Sequence, residues 1–144
     1  MTEKLTFCEV FYRDANIDYE KRWDSFKYNR DLDAEQIINE TNSKLDYIFV
    51  HDDKKRNFCI NERLLPNIDV YKPMHSLSEK VETTIFDYVP LLEKAKEIHC
   101  MDSSFAIMID HIPSLMDKDK YIHRYVRKGT GGGPLYRNNW KIIE

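Results

Sequence analysis

The residues Tyr47-Ile48-Phe49-Val50 are apolar without a break and run directly into His51-Asp52-Asp53. So short a run, β-branched and aromatic and without alternation, reads as a strand buried on both faces. "EIHCM", Glu97 to Met101, repeats the form and stops at Asp102-Ser103-Ser104. "KYIHRYV" gives a third such segment and "WKII" a short terminal one. Between them the spacing turns helical. Ile85, Tyr88, Val89 and Leu92 share one face, with Thr83 or Thr84 as cap and Pro90 tolerable only in a first turn or at a kink. "SSFAIMIDHIPSLM" is the next helix. Strand, helix, strand, helix, strand is the order of βαβ units, so the expected fold class is α/β: a mostly parallel sheet with helices on both faces.

Upstream, Tyr19, Trp23 and Phe26 are spaced for one helical face, and a helix is expected from about Ile17 to Ser43, either continuous or restarted with Asn29 or Asp31 as cap. "RNFCINERLLPNIDVYKPM" reads as one or two further short strands around a turn at Pro66-Asn67. The 144 residues suffice for one domain with a core, so a single domain over 1–144 is expected. All four glycines lie between Gly129 and Gly133, which marks 129–134 as a flexible loop. It matches neither GxGxxG nor GxxxxGK[ST].

A net charge of −3 and no basic face argue against a nucleic-acid partner. No apolar stretch is long enough for a signal peptide or a membrane span. Cys8, Cys59 and Cys100 are odd in number and far apart, which disfavours a disulfide framework and a zinc knuckle. Each is expected to be a small buried hydrophobe, in a chain of the reducing cytoplasm. His75, His99 and His111 have no partner at a ligand spacing and are expected to be structural.

In open parallel sheets ligands bind outside the carboxyl ends of the strands. Two seams have that address. At Asp102-Ser103-Ser104 a helix cap explains one residue; the start of a helix also presents uncommitted amides to an anion. At "HDDKKR", the alternatives are a solvated turn, or a site in which Lys54, Lys55 or Arg56 holds a diphosphate and His51, Asp52 or Asp53 acts as base. Asp52 and Asp53 as a pair would alternatively hold Mg²⁺ or Mn²⁺ against phosphates. At "HRYVRK", His123 and Tyr125 should alternate with Arg124 across the sheet, and Arg124 and Arg127 add cations if they face the same crevice. There is no Gly-x-Ser-x-Gly elbow, HExxH or kinase set, which disfavours a hydrolase triad at Ser103 or Ser104.

"YIFVHDDKKRNFCI", "FDYVPLLEKAKEIHCMDSSFAIMID", "YIHRYVR" and "NNWKII", in this order, resemble the carboxyl-terminal half of glycosyltransferase-like proteins, and more distantly the fucosyltransferases of the GT-B fold. The resemblance covers roughly Tyr19 to Ile143. It implies a Rossmann-like domain that binds a nucleotide diphosphate sugar for transfer to a glycan or other hydroxyl acceptor. On that likeness His51, Asp53 and Arg56 line the sugar-diphosphate side; His51 or Asp53 is the candidate catalytic base, and Lys55 a further substrate-binding candidate. Asp102, Ser103 and Ser104 lie under the diphosphate or ribose, with Arg124 as a further substrate contact. No cofactor and no resident metal are expected. The loop is poorer in arginine than that of fucosyltransferases. GT-B enzymes also use two such domains, so a missing N-terminal domain or a homodimer partner is expected to complete the cleft. The alternative from another class is a non-catalytic protein-interaction or nucleotide-binding module.

Overall fold

The computed structural model describes residues 5–73, 83–127 and 136–144. Five strands form one sheet: β1 Tyr47–His51, β2 Asp69–Tyr71, β3 Ile98–Cys100, β4 Lys120–His123 and β5 Trp140–Ile143. All neighbours are parallel, in the order β2-β1-β3-β4-β5. This is a Rossmann-like α/β sheet, as the alternation of apolar runs and helical spacing implied.

The helices are α1 Phe7–Asp14, α2 Lys21–Asp24, α3 Leu32–Glu40, α4 Val89–Lys94 and α5 Ser104–His111. Right-handed crossovers send the β2-to-β3 and β3-to-β4 connections over one face and the β1-to-β2 connection over the other. The buried clusters follow that split. Tyr47 and Phe49 of β1 pack with Ile38, Leu91, Leu92, Phe105 and Ile109 from α3, α4 and α5. Ile48 and Val50, one residue out of phase, pack with Ile60, Leu65, Val70 and Val126. The helical cover on that second face consists of one-turn 3-10 segments, among them Glu62–Leu64. Tyr47 fixes α4 to the sheet by donating its hydroxyl to the Leu91 carbonyl at 2.6 Å.

Several local signals act as read. Thr84 starts a 3-10 turn, Ile85–Tyr88, through a capping box with Asp87, and Pro90 sits in the first turn of α4. Asp31 caps α3, its carboxylate accepting from the Ala34 amide at 3.1 Å. The helix expected from Ile17 to Ser43 is broken: α2 ends at Asp24, and the chain is non-helical until Asp31. The cause is aromatic packing. Phe26 and Tyr28 leave helical phase to stack on Phe86, with centroids at 6.2 and 5.3 Å. Helix α1 lay outside the expectations, although Thr6-x-x-Glu9 is a capping box and forms one.

"RNFCINERLLPNIDVYKPM" supplies one strand, β2, and an isolated antiparallel bridge between Asp53 and Phe58. The strand expected through Val126 stops at His123, and Arg124–Arg127 is a 3-10 turn, so His123 and Tyr125 do not alternate with Arg124 across the sheet. Cys100 is buried and Cys8 partly so, but Cys59 is exposed, on the irregular segment before Ile60. The glycine loop at 129–134 and His75 lie outside the described residues. No helix among the described residues is long and apolar enough to cross a membrane.

Candidate functional site

In this strand order the connection leaves β1 toward one face and leaves β3 toward the other. The carboxyl ends of β1 and β3 therefore flank the crevice where ligands bind in open α/β sheets. His51 ends β1, and Ser103 follows β3 as the N-cap of α5. Although 52 residues apart, they touch, with Ser103 Oγ 3.1 Å from His51 Nδ1. The Ser103 hydroxyl also accepts the Ala106 amide at 3.3 Å, so one oxygen both caps the helix and holds the imidazole. The His51 ring lies against Phe105, centroids 4.4 Å apart, which fixes its orientation.

A cleft of about 350 Å³ opens beside this pair, walled by His51, Asp53, Arg56, Ser103, Ser104 and Arg127, with Ile85, Met101 and Phe105 as its apolar part. Ser104 and Phe105 occupy the first helical positions of α5, where amides have no intrahelical acceptor. Their dipoles and the two guanidinium groups make this end of the sheet attractive to an anion. Phe58 braces both arginines. Arg56 lies 5.8 Å and Arg127 5.6 Å from its ring centroid.

Of the residues singled out in the sequence, His51, Asp53, Arg56, Ser103 and Ser104 meet in this cleft. Asp53 is already engaged. It caps the 3-10 turn Lys54–Arg56, and its Oδ2 accepts Arg56 Nε at 2.6 Å. Lys55, on that turn, is not among the cleft walls, nor is Asp52. The Asp52 carboxylate accepts the Ile60 amide at 3.0 Å and faces Lys72 Nζ at 3.3 Å, so the two neighbouring carboxylates do not converge. Among the described residues no three or more His, Cys, Asp or Glu side chains are grouped to hold a metal ion.

Asp102 and Arg124 stand behind the cleft rather than in its wall. Asp102 Oδ2 accepts Arg124 Nε at 3.3 Å, and Oδ1 accepts the Tyr136 hydroxyl at 3.0 Å. Burial, first, and then the Asp102 charge push the Tyr136 phenol far up, so it stays a donor. Arg127, three residues after Arg124 on the same 3-10 turn, donates Nη1 to the Asp102 carbonyl at 3.1 Å and reaches the cleft. Residues three apart on such a turn eclipse, a signal the strand expectation for "HRYVR" concealed.

Two further constellations were not legible in spacing. Asp110, on α5, is buried and accepts from four donors: Trp23 Nε1 at 2.8 Å, Trp140 Nε1 at 2.9 Å, and the amides of Arg137 at 3.1 Å and Asn138 at 3.0 Å. It ties α2 and the segment before β5 to one carboxylate. Beside it, His111 stacks on Trp23 at 6.0 Å and donates through Nδ1 to the Ile107 carbonyl in its own helix.

The second is a chain of hydrogen bonds across β3 and β4. Glu97 Oε2 lies 2.9 Å from His99 Nε2, His99 Nδ1 2.9 Å from His123 Nε2, and His123 Nδ1 3.0 Å from the Tyr125 hydroxyl. Tyr125 in turn accepts the Asn61 amide at 2.9 Å. One assignment satisfies every contact with both imidazoles neutral: hydrogen on each Nε2, with the Tyr125 hydroxyl donating to His123 Nδ1. Burial lowers the pKa of both, that of His123 to about 4. No protein-family profile, no curated protein and no solved structure matches the chain.

Proposed function

We propose that the chain is a donor-binding domain of glycosyltransferase type, which holds a nucleotide diphosphate sugar for transfer to an acceptor hydroxyl. The observation that carries this reading is the cleft at the ends of β1 and β3, where the start of α5, two serine hydroxyls, Arg56 and Arg127 meet around His51. The diphosphate lies over the first amides of α5, with the Ser103 and Ser104 hydroxyls and the two guanidiniums as further donors. As the bond from the anomeric carbon to the diphosphate breaks, these fixed donors stabilise the charge that grows on the leaving oxygen. His51 is the base that takes the acceptor proton. Asp53, paired with Arg56, instead holds that guanidinium at the cleft mouth. The site is open on one side, and a second domain or a second copy of the chain would exclude water from it.

A thermal-shift panel of nucleotide diphosphate sugars, with Mg²⁺ or with EDTA, tests the reading. A ligand at a hundred times its Kd adds about 2.7 kcal/mol to stability, a large shift for a domain of this size. A base-selective shift that Arg56→Ala and Arg127→Ala each reduce is the expected result. Folded protein that shifts with no donor would leave the non-catalytic interaction module as the better account. Abolition of the shift by EDTA would favour the metal-dependent alternative, in which the Asp52 carboxylate would have to leave Lys72.

The contact between His51 and Ser103 favours one second reading, a serine nucleophile with an imidazole base. Labelling by a fluorophosphonate that is lost in Ser103→Ala would support it. Absence of labelling at neutral pH would remove it.

A further inference from the structure

The polar cleft shares two of its walls with a larger cavity. Ile85 and Ser104 line the cleft and also an adjoining groove of about 520 Å³. The chemistry changes at that seam. The groove is walled chiefly by Phe7, Phe11, Phe26, Phe86, Ile107 and Met108. Phe7 and Phe11 stand one turn apart on α1, 84% and 67% exposed. The cation at the groove, Arg22, stacks on the Tyr19 and Trp23 rings at 5.2 and 5.0 Å. The cleft thus carries Arg127 and Arg56, the latter paired with Asp53, while the groove is chiefly hydrocarbon with Arg22 and His111 at its wall.

We infer that cleft and groove form one site for an amphiphile, with a phosphate or diphosphate between Arg56, Arg127 and the start of α5, and its hydrocarbon chain laid along the aromatic groove. This rests on the phosphate-binding part of the proposed function and adds a substrate class to it. A groove of this volume falls in the range of about 300–1,000 Å³ typical of small-molecule sites. Exposed aromatic surface that shares Ile85 and Ser104 with a charged pocket suits a ligand with both characters. Ser104, at the seam, is placed for the oxygen that joins phosphate to chain. An uncharged protein helix or a membrane without anionic lipid would cover Phe7 and Phe11 equally well, but neither makes use of the arginines across the seam.

The test is calorimetric titration of the full chain with hexyl, octyl and decyl phosphate below their micelle concentrations, and with inorganic phosphate. Each buried methylene should tighten binding about fourfold, so octyl should exceed hexyl phosphate by about tenfold or more. Phe11→Ser, at an exposed position that does not threaten the fold, should flatten this dependence and leave nucleoside diphosphate binding unchanged. Affinity independent of chain length overturns the inference, as does a dependence that survives both Phe7→Ser and Phe11→Ser. Phenylalanine-dependent binding to neutral phosphatidylcholine vesicles, without any preference for phosphate, would assign the groove to a membrane surface and likewise overturn it. The same samples titrated with nucleotide sugars separate the two readings. Nucleotide binding without a chain-length effect leaves the donor domain standing alone, and the reverse result removes the nucleotide and keeps the amphiphile.

Discussion

Acidification should unfold this protein through His123. Its side chain is wholly buried, flanked by His99 and Tyr125, with Glu97 and Tyr121 meeting the far side of His99. Burial favours the neutral form of both histidines in the folded chain. Burial, and secondarily the neighbouring His99, lower the His123 pKa from 6.5 to about 4. The direction of the effect follows from proton counting. Between these values the unfolded chain binds a proton that the folded chain refuses, so stability present above pH 6.5 is lost as pH falls toward 4. Each unit of pKa difference is worth about 1.4 kcal/mol, so His123 alone accounts for roughly 3 kcal/mol, a large part of the stability of a small domain. His99 is shifted in the same direction and steepens the loss. The assay is urea unfolding followed by the fluorescence of Trp23 and Trp140 at half-unit steps from pH 7 to 4.5, for wild type and His123→Gln. The variant loses stability at neutral pH by breaking the chain, but its slope against pH should fall by nearly one proton. Equal slopes in the two proteins, or an imidazole resonance of His123 titrating near 6.5, would refute the reasoning.

Asp110→Ala should cost on the order of 3 kcal/mol or more in denaturant unfolding, because two indole and two backbone donors lose their acceptor together. Lys120 is buried under Trp140, with its ammonium on the Leu115 and Met116 carbonyls and its pKa lowered to about 8 by burial. The folded chain then binds fewer protons than the unfolded one above pH 8, so wild-type stability should rise between pH 8 and 9.5, and Lys120→Met should abolish that rise. Ser103→Ala should lower stability by about 1 kcal/mol through the lost cap, and should also weaken anion binding through the lost hydroxyl, measured by melting and by phosphate titration. Tyr136→Phe should deprive the Asp102 carboxylate of a hydroxyl donor and destabilise by about 1 kcal/mol in urea, with no change in the cleft's affinity for phosphate.

The sequence by itself determined the two central strands and where they stop. "YIFV" and "EIHCM" are apolar on both faces because their strands are interior, and the polar residues after them begin where the chain leaves the sheet. It also determined local starts: the Ser103 cap, Thr84 with Asp87, and Pro90 in a first turn, each a matter of neighbours within four residues. Tertiary structure alone decided the rest. Strand order brings His51 to Ser103, and no spacing encodes which strand lies beside which. The expected long helix fails because Phe26 and Tyr28 gain more by stacking on Phe86 than by staying in phase. Asp110 and the Glu97-His99-His123-Tyr125 chain look like ordinary polar residues until the sheet closes over them. Periodicity reports which side of an element faces inward; it carries no information about what waits there, because burial is set by the partner as much as by the residue.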